Sequence, residues 1–288
     1  LINNFIKIKE RKKNFIKKLK KFKTELLHNE LSQATLNRYL TDITQFIEKE
    51  NIESIKDITK SKVLDYKSFL INNFKTSTCT IKLVAINKFL DFLGLQSFKV
   101  KLPKQLKKKV LEDLITVAEY ERLLKYAKKL DKLKMYYIIM TLANTGIRIS
   151  ELEFITVEAL KKESTVIKNK GKIREIILPK KLIKDLKEYC KKNGIIKGAV
   201  FISKFYRPMG VTYIHKELKF ISGQARIKKS KVHAHAFRHL FAVQYMKKNN
   251  NALSLADILG HSSLETTRIY TQQTKKQHQK SIDDLFLN

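Results

Sequence analysis

Regularly spaced apolar residues, in a chain with few helix-breaking residues, constrain this fold most. The 288 residues include only 8 glycines and 3 prolines, the residue types that most often interrupt helices. From Ser32 onward, apolar residues recur at intervals of three and four positions, the spacing of an amphipathic helix. The first stripe comprises Leu36, Tyr39, Leu40, Ile43, Phe46 and Ile47, and similar stripes follow around 63–70 and 81–93. These stripes predict a small helical bundle that ends near Gly94.

A lysine-rich segment, residues 2–26, precedes this bundle. Apolar residues such as Ile6, Phe15, Ile16 and Leu19 recur among its lysines at helix-like intervals, which favours a basic amphipathic helix. Such a helix either packs on its neighbours with its lysines in solvent or contacts a polyanion directly. The sequence leaves both interpretations open.

A change in composition marks a domain boundary after the bundle. Residues 96–110 read QSFKVKLPKQLKKKV, which lacks apolar periodicity and contains Pro103, so this stretch is predicted to be an extended basic linker. Thr116 and Glu119 then form a capping box, in which both side chains satisfy backbone N–H groups at a helix start. We therefore predict a helical domain over 1–95, a basic linker over 96–111 and a second domain over 112–288.

The second domain is predicted to be helical around one β-hairpin. Alternating segments at 164–168 and 173–178 flank Asn169-Lys-Gly-Lys172, a pattern typical of a hairpin with Gly171 in the turn. Helices are predicted at 133–144, 180–192, 211–224, 236–248, 254–259, 263–270 and 273–286. The predicted fold class is therefore mainly α with a small β-hairpin.

The charge of the chain indicates a polyanionic partner. Lys and Arg number 60 and Asp and Glu number 27, which gives a net charge of +33. Nucleic acid fits this excess best, because neutralising phosphates releases counterions and supplies affinity. A membrane surface fits less well, since no run of about 18 apolar residues occurs. Residues 1–25 carry ten basic and two acidic residues and lack the apolar core of a signal peptide, so an intracellular protein is expected.

The cysteines do not indicate a metal site. Cys79 and Cys190 lie far apart, with no CxxC pair and no zinc-like Cys/His spacing, so both are interpreted as structural. Arginine is rare here, with 9 residues beside 51 lysines. An arginine in such a chain is favoured where planar two-pronged contact with an anion is needed.

Four short stretches of the second domain carry candidate chemistry: TGIRISEL (145–152), KNKGKIR (168–174), HAHAFRH (233–239) and LGHSSLETTRIY (259–270). Each stretch alone is typical of surface, capping or packing residues. Together, in this order and spacing, they resemble the tyrosine recombinase family, which includes phage integrases, Xer-type recombinases and transposon resolvases. The matching positions are Arg148, Lys170, His235, Arg238, His261 and Tyr270.

The resemblance implies both a fold and a set of roles. Residues 32–110 resemble the core-binding (SAM-like) domain of that family, and the remainder resembles its catalytic domain. Tyr270 is the implied nucleophile, and its phenol, with an ordinary pKa of about 10, needs a proton acceptor at neutral pH. His235, which titrates near neutrality, is the natural acceptor. Arg148 and Arg238 suit the non-bridging oxygens of a phosphodiester, and His261 is expected to donate a hydrogen bond to the phosphate.

A lysine is expected to protonate the departing 5′ oxygen. Lys168, Lys170 and Lys172 lie within five residues, and the K-G-x-x-R pattern of the family favours Lys170, with Lys172 next. Glu151 is expected to support Arg148, and His239 is interpreted as structural rather than catalytic. His233 is left without an assignment.

The family resemblance also implies the partners. The expected substrate is double-stranded DNA with paired half-sites, bound by four protomers that exchange strands through a Holliday junction, with or without an accessory protein. Neither a metal nor a nucleotide cofactor is expected, because the phosphotyrosine bond conserves the energy of the broken phosphodiester. The expected location is the cytoplasm of a bacterium or archaeon, at the nucleoid. The tail at 272–288 either docks on a neighbouring protomer or packs on its own domain.

Two other functions remain open on the sequence. A type IB topoisomerase shares the nucleophile and much of the site, but it relaxes supercoils without a partner site. A DNA-binding protein that has lost catalysis is the second alternative, although all six expected functional groups are present.

Overall fold

The computed structural model describes residues 2–104, 114–169, 172–260, 267, 269–270 and 283. The chain divides into two compact units, Leu1–Lys107 and Lys108–Asn288. The fold is mainly helical with one two-stranded antiparallel sheet, as the sequence predicted. Within the described residues, no helix is both long and apolar enough to cross a membrane.

Four helices build the first unit. They are α1 (Ile2–His28), α2 (Gln33–Lys49), α3 (Lys60–Asn73) and α4 (Thr76–Phe92), with 3-10 turns at Ile55–Asp57 and Gln96–Phe98. The hydroxyls of Ser32 and Thr59 accept backbone N–H groups at the starts of α2 and α3, which satisfies donors that a helix start leaves without partners. The predicted stripes thus correspond to real helices, and each one faces a common core.

Aromatic rings fill much of this core. Phe22 of α1 lies edge-on to Phe89 of α4, with ring centroids 5.2 Å apart, so the predicted N-terminal helix does pack on its neighbours. One buried ion pair crosses the core, with Lys82 Nζ 2.8 Å from Asp42 Oδ1. A buried charge is tolerated only when it is paired, so this contact fixes α4 against α2.

The segment predicted to be the start of an extended linker instead folds onto the first unit. Val100 is buried in the core, and its backbone N–H and carbonyl both bond to the side chain of Asn87. The apolar contacts of this stretch come from Val100 and the partly buried Phe98, which do not recur at a regular interval, and for this reason apolar periodicity did not reveal it. Residues 105–113 lie outside the described residues.

The second unit places seven helices around the hairpin within the described residues. They are α5 (Val117–Lys129), α6 (Leu133–Thr145), α7 (Val157–Lys162), α8 (Lys180–Lys192), α9 (Val211–Gln224), α10 (Ala234–Asn249) and α11 (Ala252–Leu259), with 3-10 segments at Ile149–Phe154 and Lys229–Lys231. The capping box of Thr116 and Glu119 is present at the start of α5. Helix α7 was not predicted, because six residues are too few to show a period. The helices predicted at 263–270 and 273–286 lie largely outside the described residues.

The hairpin has one buried and one exposed face. Strands β1 (Ser164–Asn169) and β2 (Lys172–Ile177) pair antiparallel, with Thr165 opposite Ile176 and Ile167 opposite Arg174. Ile167 and Ile176 are buried, whereas Ile173 and Ile177 are exposed. Because side chains alternate along a strand, Arg174 lies on the same face as the two buried isoleucines.

Gly146 ends α6 in a left-handed conformation, with φ +64°, and its surroundings leave no room for a side chain. A Cβ at this position would lie 2.6 Å from a ring carbon of Phe241 and 2.8 Å from a methyl of Leu259. Gly146→Ala should therefore lower the free energy of unfolding by about 3 kcal/mol or more, from backbone strain and overpacking together. Urea unfolding of the full chain measures this loss.

Gly194 provides the matched control. It has the same φ of +64°, but a Cβ would meet no atom within 4 Å, so Gly194→Ala should lose only the strain contribution of about 1 kcal/mol. Equal losses in the two variants would show that the packing around Gly146 is not tight.

Candidate active site

The turn after α6 positions Arg148. Gly146 and buried Ile147 bring the chain out of the helix, and the backbone N–H of Arg148 donates to Glu151 Oε2 at 2.7 Å. The guanidinium of Arg148 donates to Glu151 Oε1 at 2.9 Å, and its side chain is 39% exposed. Glu151 therefore orients both the backbone and the side chain of Arg148, as the sequence analysis expected.

Helix α10 carries His235 and Arg238 one turn apart. Its N-terminus is capped by His233, whose Nδ1 accepts the N–H of Ala236 at 3.1 Å, which explains this previously unassigned histidine. Arg238 is only 1% exposed and donates to the carbonyl of Gly146 at 2.7 Å and to that of Leu259 at 2.6 Å. These bonds use two of its five N–H donors, so Arg238 forms the floor of the site rather than its rim.

The pKa values of Arg238 and His235 are both affected by burial and by positive charge. Burial, together with Arg148 and Arg174, lowers the pKa of Arg238 to about 10, which leaves it charged at neutral pH. Burial lowers the pKa of His235 below its ordinary value, and electrostatic interactions with Arg238, His233 and Arg148 lower it further. His235 is therefore neutral at pH 7 and has a ring nitrogen able to accept a proton.

Tyr270 lies close to α10 and is only 9% exposed. Its hydroxyl forms a hydrogen bond with Nδ1 of His239. The His239 ring also packs edge-on against that of His235, with centroids 4.4 Å apart. Burial raises the pKa of Tyr270 to about 12, against an opposing effect of Arg238. The phenol is therefore protonated in the free protein.

The structure gives His239 and Arg174 contacts that the sequence analysis did not foresee. His239 was interpreted as structural, yet it contacts the hydroxyl of Tyr270. Its position four residues after His235, on the same helix face, was the available signal. Arg174 had no assignment, and it donates to Glu151 Oε2 at 2.6 Å. The rarity of arginine in this chain was the signal there.

Lys170 and His261 lie outside the described residues. The hairpin pairs Asn169 with Lys172, so Lys170 falls between the two strands in sequence. Lys168 belongs to β1 and Lys172 to β2. The choice among the three lysines remains a prediction from the family pattern.

The described site is suited to an anion. Arg148, Arg174 and Arg238 bring three positive charges to one carboxylate, that of Glu151. Guanidinium groups in such a half-buried setting bind phosphate oxygens through charge-assisted hydrogen bonds. Among the described residues, no group of three His, Cys, Asp or Glu side chains could hold a metal ion.

Comparison with known proteins identifies the family. The model of the phage integrase family matches residues 113–277, which is more than half of the chain. The chain therefore belongs to the phage integrase family, the tyrosine recombinases. Enzymes of this class cleave and rejoin DNA at specific sites.

Individual relatives agree with this class over most of the chain. Tyrosine recombinase XerA of Pyrococcus furiosus is 26% identical over 276 residues, which cover 92% of each protein. Tyrosine recombinase XerH of Campylobacter jejuni is 27% identical over 267 residues, covering 82% of this chain and 74% of the relative.

Solved structures show the same fold. XerH bound to its difH substrate, in a pre-cleavage complex, has a TM-score of 0.71 at 21% identity, covering 88% of this chain and 80% of that one. The Tn1549 transposon integrase with a circular intermediate DNA has a TM-score of 0.73 at 16% identity, covering 93% and 99%. The two curated relatives are both named tyrosine recombinases, which favours recombination over supercoil relaxation.

The raised pKa of Tyr270 predicts part of the pH dependence of stability. The phenol ionises at about pH 10 in the unfolded chain and at about 12 in the folded one. Its contribution to stability is therefore fully present below pH 10 and is lost as the pH rises toward 12. When the pH is raised from about 9 to about 11.5, the free energy of unfolding of the wild type should therefore fall further than that of Tyr270→Phe. The difference between the two decreases should be at most about 2 kcal/mol.

Urea unfolding at the two pH values measures this difference. Tyr206 is exposed and serves as the control, so Tyr206→Phe should lose as much stability as the wild type. A Tyr270→Phe variant that is as sensitive to alkaline pH as the wild type would contradict the buried, protonated phenol.

Proposed function

We propose that this enzyme cleaves and rejoins duplex DNA at paired half-sites through a covalent 3′-phosphotyrosine at Tyr270. One observation carries the proposal. Three segments that are far apart in sequence bring Arg148, His235 with Arg238, and Tyr270 to one cluster. The alternative of a DNA-binding protein without catalysis gives no reason for a buried phenol that contacts a histidine and lies near the arginine cluster.

Cleavage is an in-line displacement at phosphorus. The phenolic oxygen of Tyr270 attacks the scissile phosphate, so that an O–P bond to tyrosine forms as the bond from phosphorus to the 5′ oxygen breaks. Arg148 and Arg238 stabilise the charge on the non-bridging oxygens. Ligation reverses these steps, with a 5′-hydroxyl as the nucleophile and Tyr270 as the leaving group, so the energy of the phosphodiester is conserved without ATP or Mg²⁺.

Proton transfers accompany both bond changes. The phenol proton passes toward His235, whose lowered pKa leaves it neutral and able to accept. His239 contacts the hydroxyl of Tyr270, and its ring packs edge-on against that of His235, so it places the phenol near the proposed acceptor. Lys170 donates a proton to the departing 5′ oxygen, and His261 donates a hydrogen bond to the phosphate, both by the family pattern.

The partners follow from charge and from the relatives. Solved structures of XerH, the Tn1549 integrase and lambda integrase contain DNA, and a net charge of +33 favours contact with many phosphates. We infer that four protomers of this chain act on two sites through a Holliday junction, with or without an accessory protein. Its DNA substrate locates the enzyme in the cytoplasm of a bacterium or archaeon, at the nucleoid.

Tyr270→Phe tests the nucleophile. The ring is retained and only the hydroxyl is lost, so the variant should bind DNA with little change and form no covalent complex. The measurement is the protein–DNA adduct on a suicide substrate, whose cleaved strand diffuses away before ligation. Tyr245→Phe, which changes another described tyrosine of this unit, is the control and should still form the adduct. An adduct with Tyr270→Phe would assign the nucleophile elsewhere.

Lys170→Ala tests the proton donor. It should slow cleavage of ordinary DNA by about 10²-fold or more, in the range of general acid catalysis. A substrate with sulfur at the 5′ bridging position should largely remove the defect, because a thiolate leaves without a proton. Lys172→Ala and Lys168→Ala are the matched controls. Rescue that is stronger for either control would move the role to that neighbour.

A further inference from the structure

Arg174 links three parts of the site that are distant in sequence. It lies on β2, on the buried face of the hairpin, and its side chain is 12% exposed. One terminal nitrogen donates to Glu151 Oε2 at 2.6 Å, and the other donates to the carbonyl of Leu259. The planar guanidinium of Arg174 thus binds two acceptors on different elements at once. A lysine ammonium lacks this two-pronged geometry.

The first link leads to Arg148. Glu151 is 1% exposed and pairs with Arg174 through Oε2 and with Arg148 through Oε1. Without Arg174, this buried carboxylate would retain Arg148 as its guanidinium partner. The attraction would then draw the Arg148 guanidinium toward the protein and away from a phosphate. Arg174 therefore sets how much of the Arg148 charge faces the substrate.

The second link leads to Arg238. The carbonyl of Leu259 accepts from both Arg174 and Arg238, so the two guanidinium groups share one acceptor at the end of α11. The next residue, Gly260, has φ +62°, and a Cβ there would lie 2.5 Å from Nη1 and 2.7 Å from Cδ of Arg174. The glycine before His261 therefore makes room for Arg174 itself.

One further feature argues against a purely stabilising role. The Nε of Arg174 is buried and has no hydrogen-bond partner among the described residues. A buried donor without a partner costs about 1 to 3 kcal/mol. A group selected only for stability would more readily be replaced by an apolar side chain.

We propose that Arg174 is a positioning residue, which holds Arg148 through Glu151 and Arg238 through the Leu259 carbonyl at the separation that grips the scissile phosphate. This inference rests on the proposed function. It adds a third arginine to the site. Arg148 and Arg238 contact the phosphate, whereas Arg174 acts by holding those two residues in place.

The test measures cleavage by the full-length Arg174→Ala and Arg174→Lys variants. Arg174→Ala should bind DNA within about threefold of wild type, as expected for loss of one charge in a strongly basic chain, and cleave about 10² to 10³ times more slowly. Arg174→Lys should retain at least a tenfold defect, because lysine lacks the planar fork. Arg122→Ala, which removes an exposed arginine of α5, is the control and should cleave at the wild-type rate.

A methylphosphonate at the scissile position identifies the mechanism. Replacing one non-bridging oxygen by methyl removes the charge that the arginines neutralise, so the defect of the Arg174 variants should shrink by at least about tenfold. A sulfur at the 5′ bridging position should not shrink it, since protonation of the leaving group is not affected. The proposal would be overturned if the Arg174 variants cleaved at the wild-type rate. It would also be overturned if their defect were equal on the ordinary phosphodiester and the methylphosphonate, or if bridging sulfur rescued them.

Two controls keep the interpretation unambiguous. If Arg174→Ala has a lowered melting temperature, the substrate comparison is made with Arg174→Lys, which retains charge and most of the side-chain volume. Wild-type protein must form the Tyr270 adduct in the same assay. Failure there would refute the proposed function, whereas a normal wild type with normal Arg174 variants would refute only the role of Arg174.

Discussion

The site depends on one buried carboxylate, that of Glu151, held between two guanidinium groups. A buried charge is stable only with close partners and satisfied hydrogen bonds, and Glu151 meets this condition through Arg148 and Arg174. The Leu259 carbonyl is a second shared acceptor, because it accepts hydrogen bonds from both Arg174 and Arg238. The two paired guanidinium groups and Arg238 together carry three positive charges against the one negative charge of Glu151, so the cluster keeps a positive charge. That charge matches a phosphodiester more closely than a neutral ligand.

The same surroundings determine the protonation states of the reacting groups. Burial disfavours the charged form of each group, so it raises the pKa of Tyr270 and lowers that of His235. Nearby arginine charge also lowers the pKa of His235, which adds to the effect of burial. It lowers the pKa of Tyr270 as well, which opposes the effect of burial there. In the free protein the proton therefore remains on Tyr270, with its hydroxyl against His239. A protonated phenol is a weak nucleophile, so the proposed reaction of Tyr270 requires removal of this proton.

Lysines and arginines are distributed differently along the chain. The excess of basic residues extends over both units, whereas the arginine cluster belongs to the second one alone. Lysines supply affinity for phosphates without fixed geometry, and arginines supply directed contacts. The chain therefore separates binding, which needs many interchangeable charges, from chemistry, which needs a few oriented ones.

The sequence by itself determined most of the described helices, the hairpin and the principal candidate residues, because these depend on local periodicity, turn residues and motif spacing. It did not reveal that Val100 packs into the first unit, that His239 contacts Tyr270, or that Arg174 joins Glu151 to Leu259. The contacts of His239 and Arg174 connect residues 23 to 85 positions apart, and Val100 lies in a stretch without apolar periodicity, so local patterns did not predict them. Only the packing of helices and strands within each unit brings these groups into contact, and the tertiary structure alone decided that.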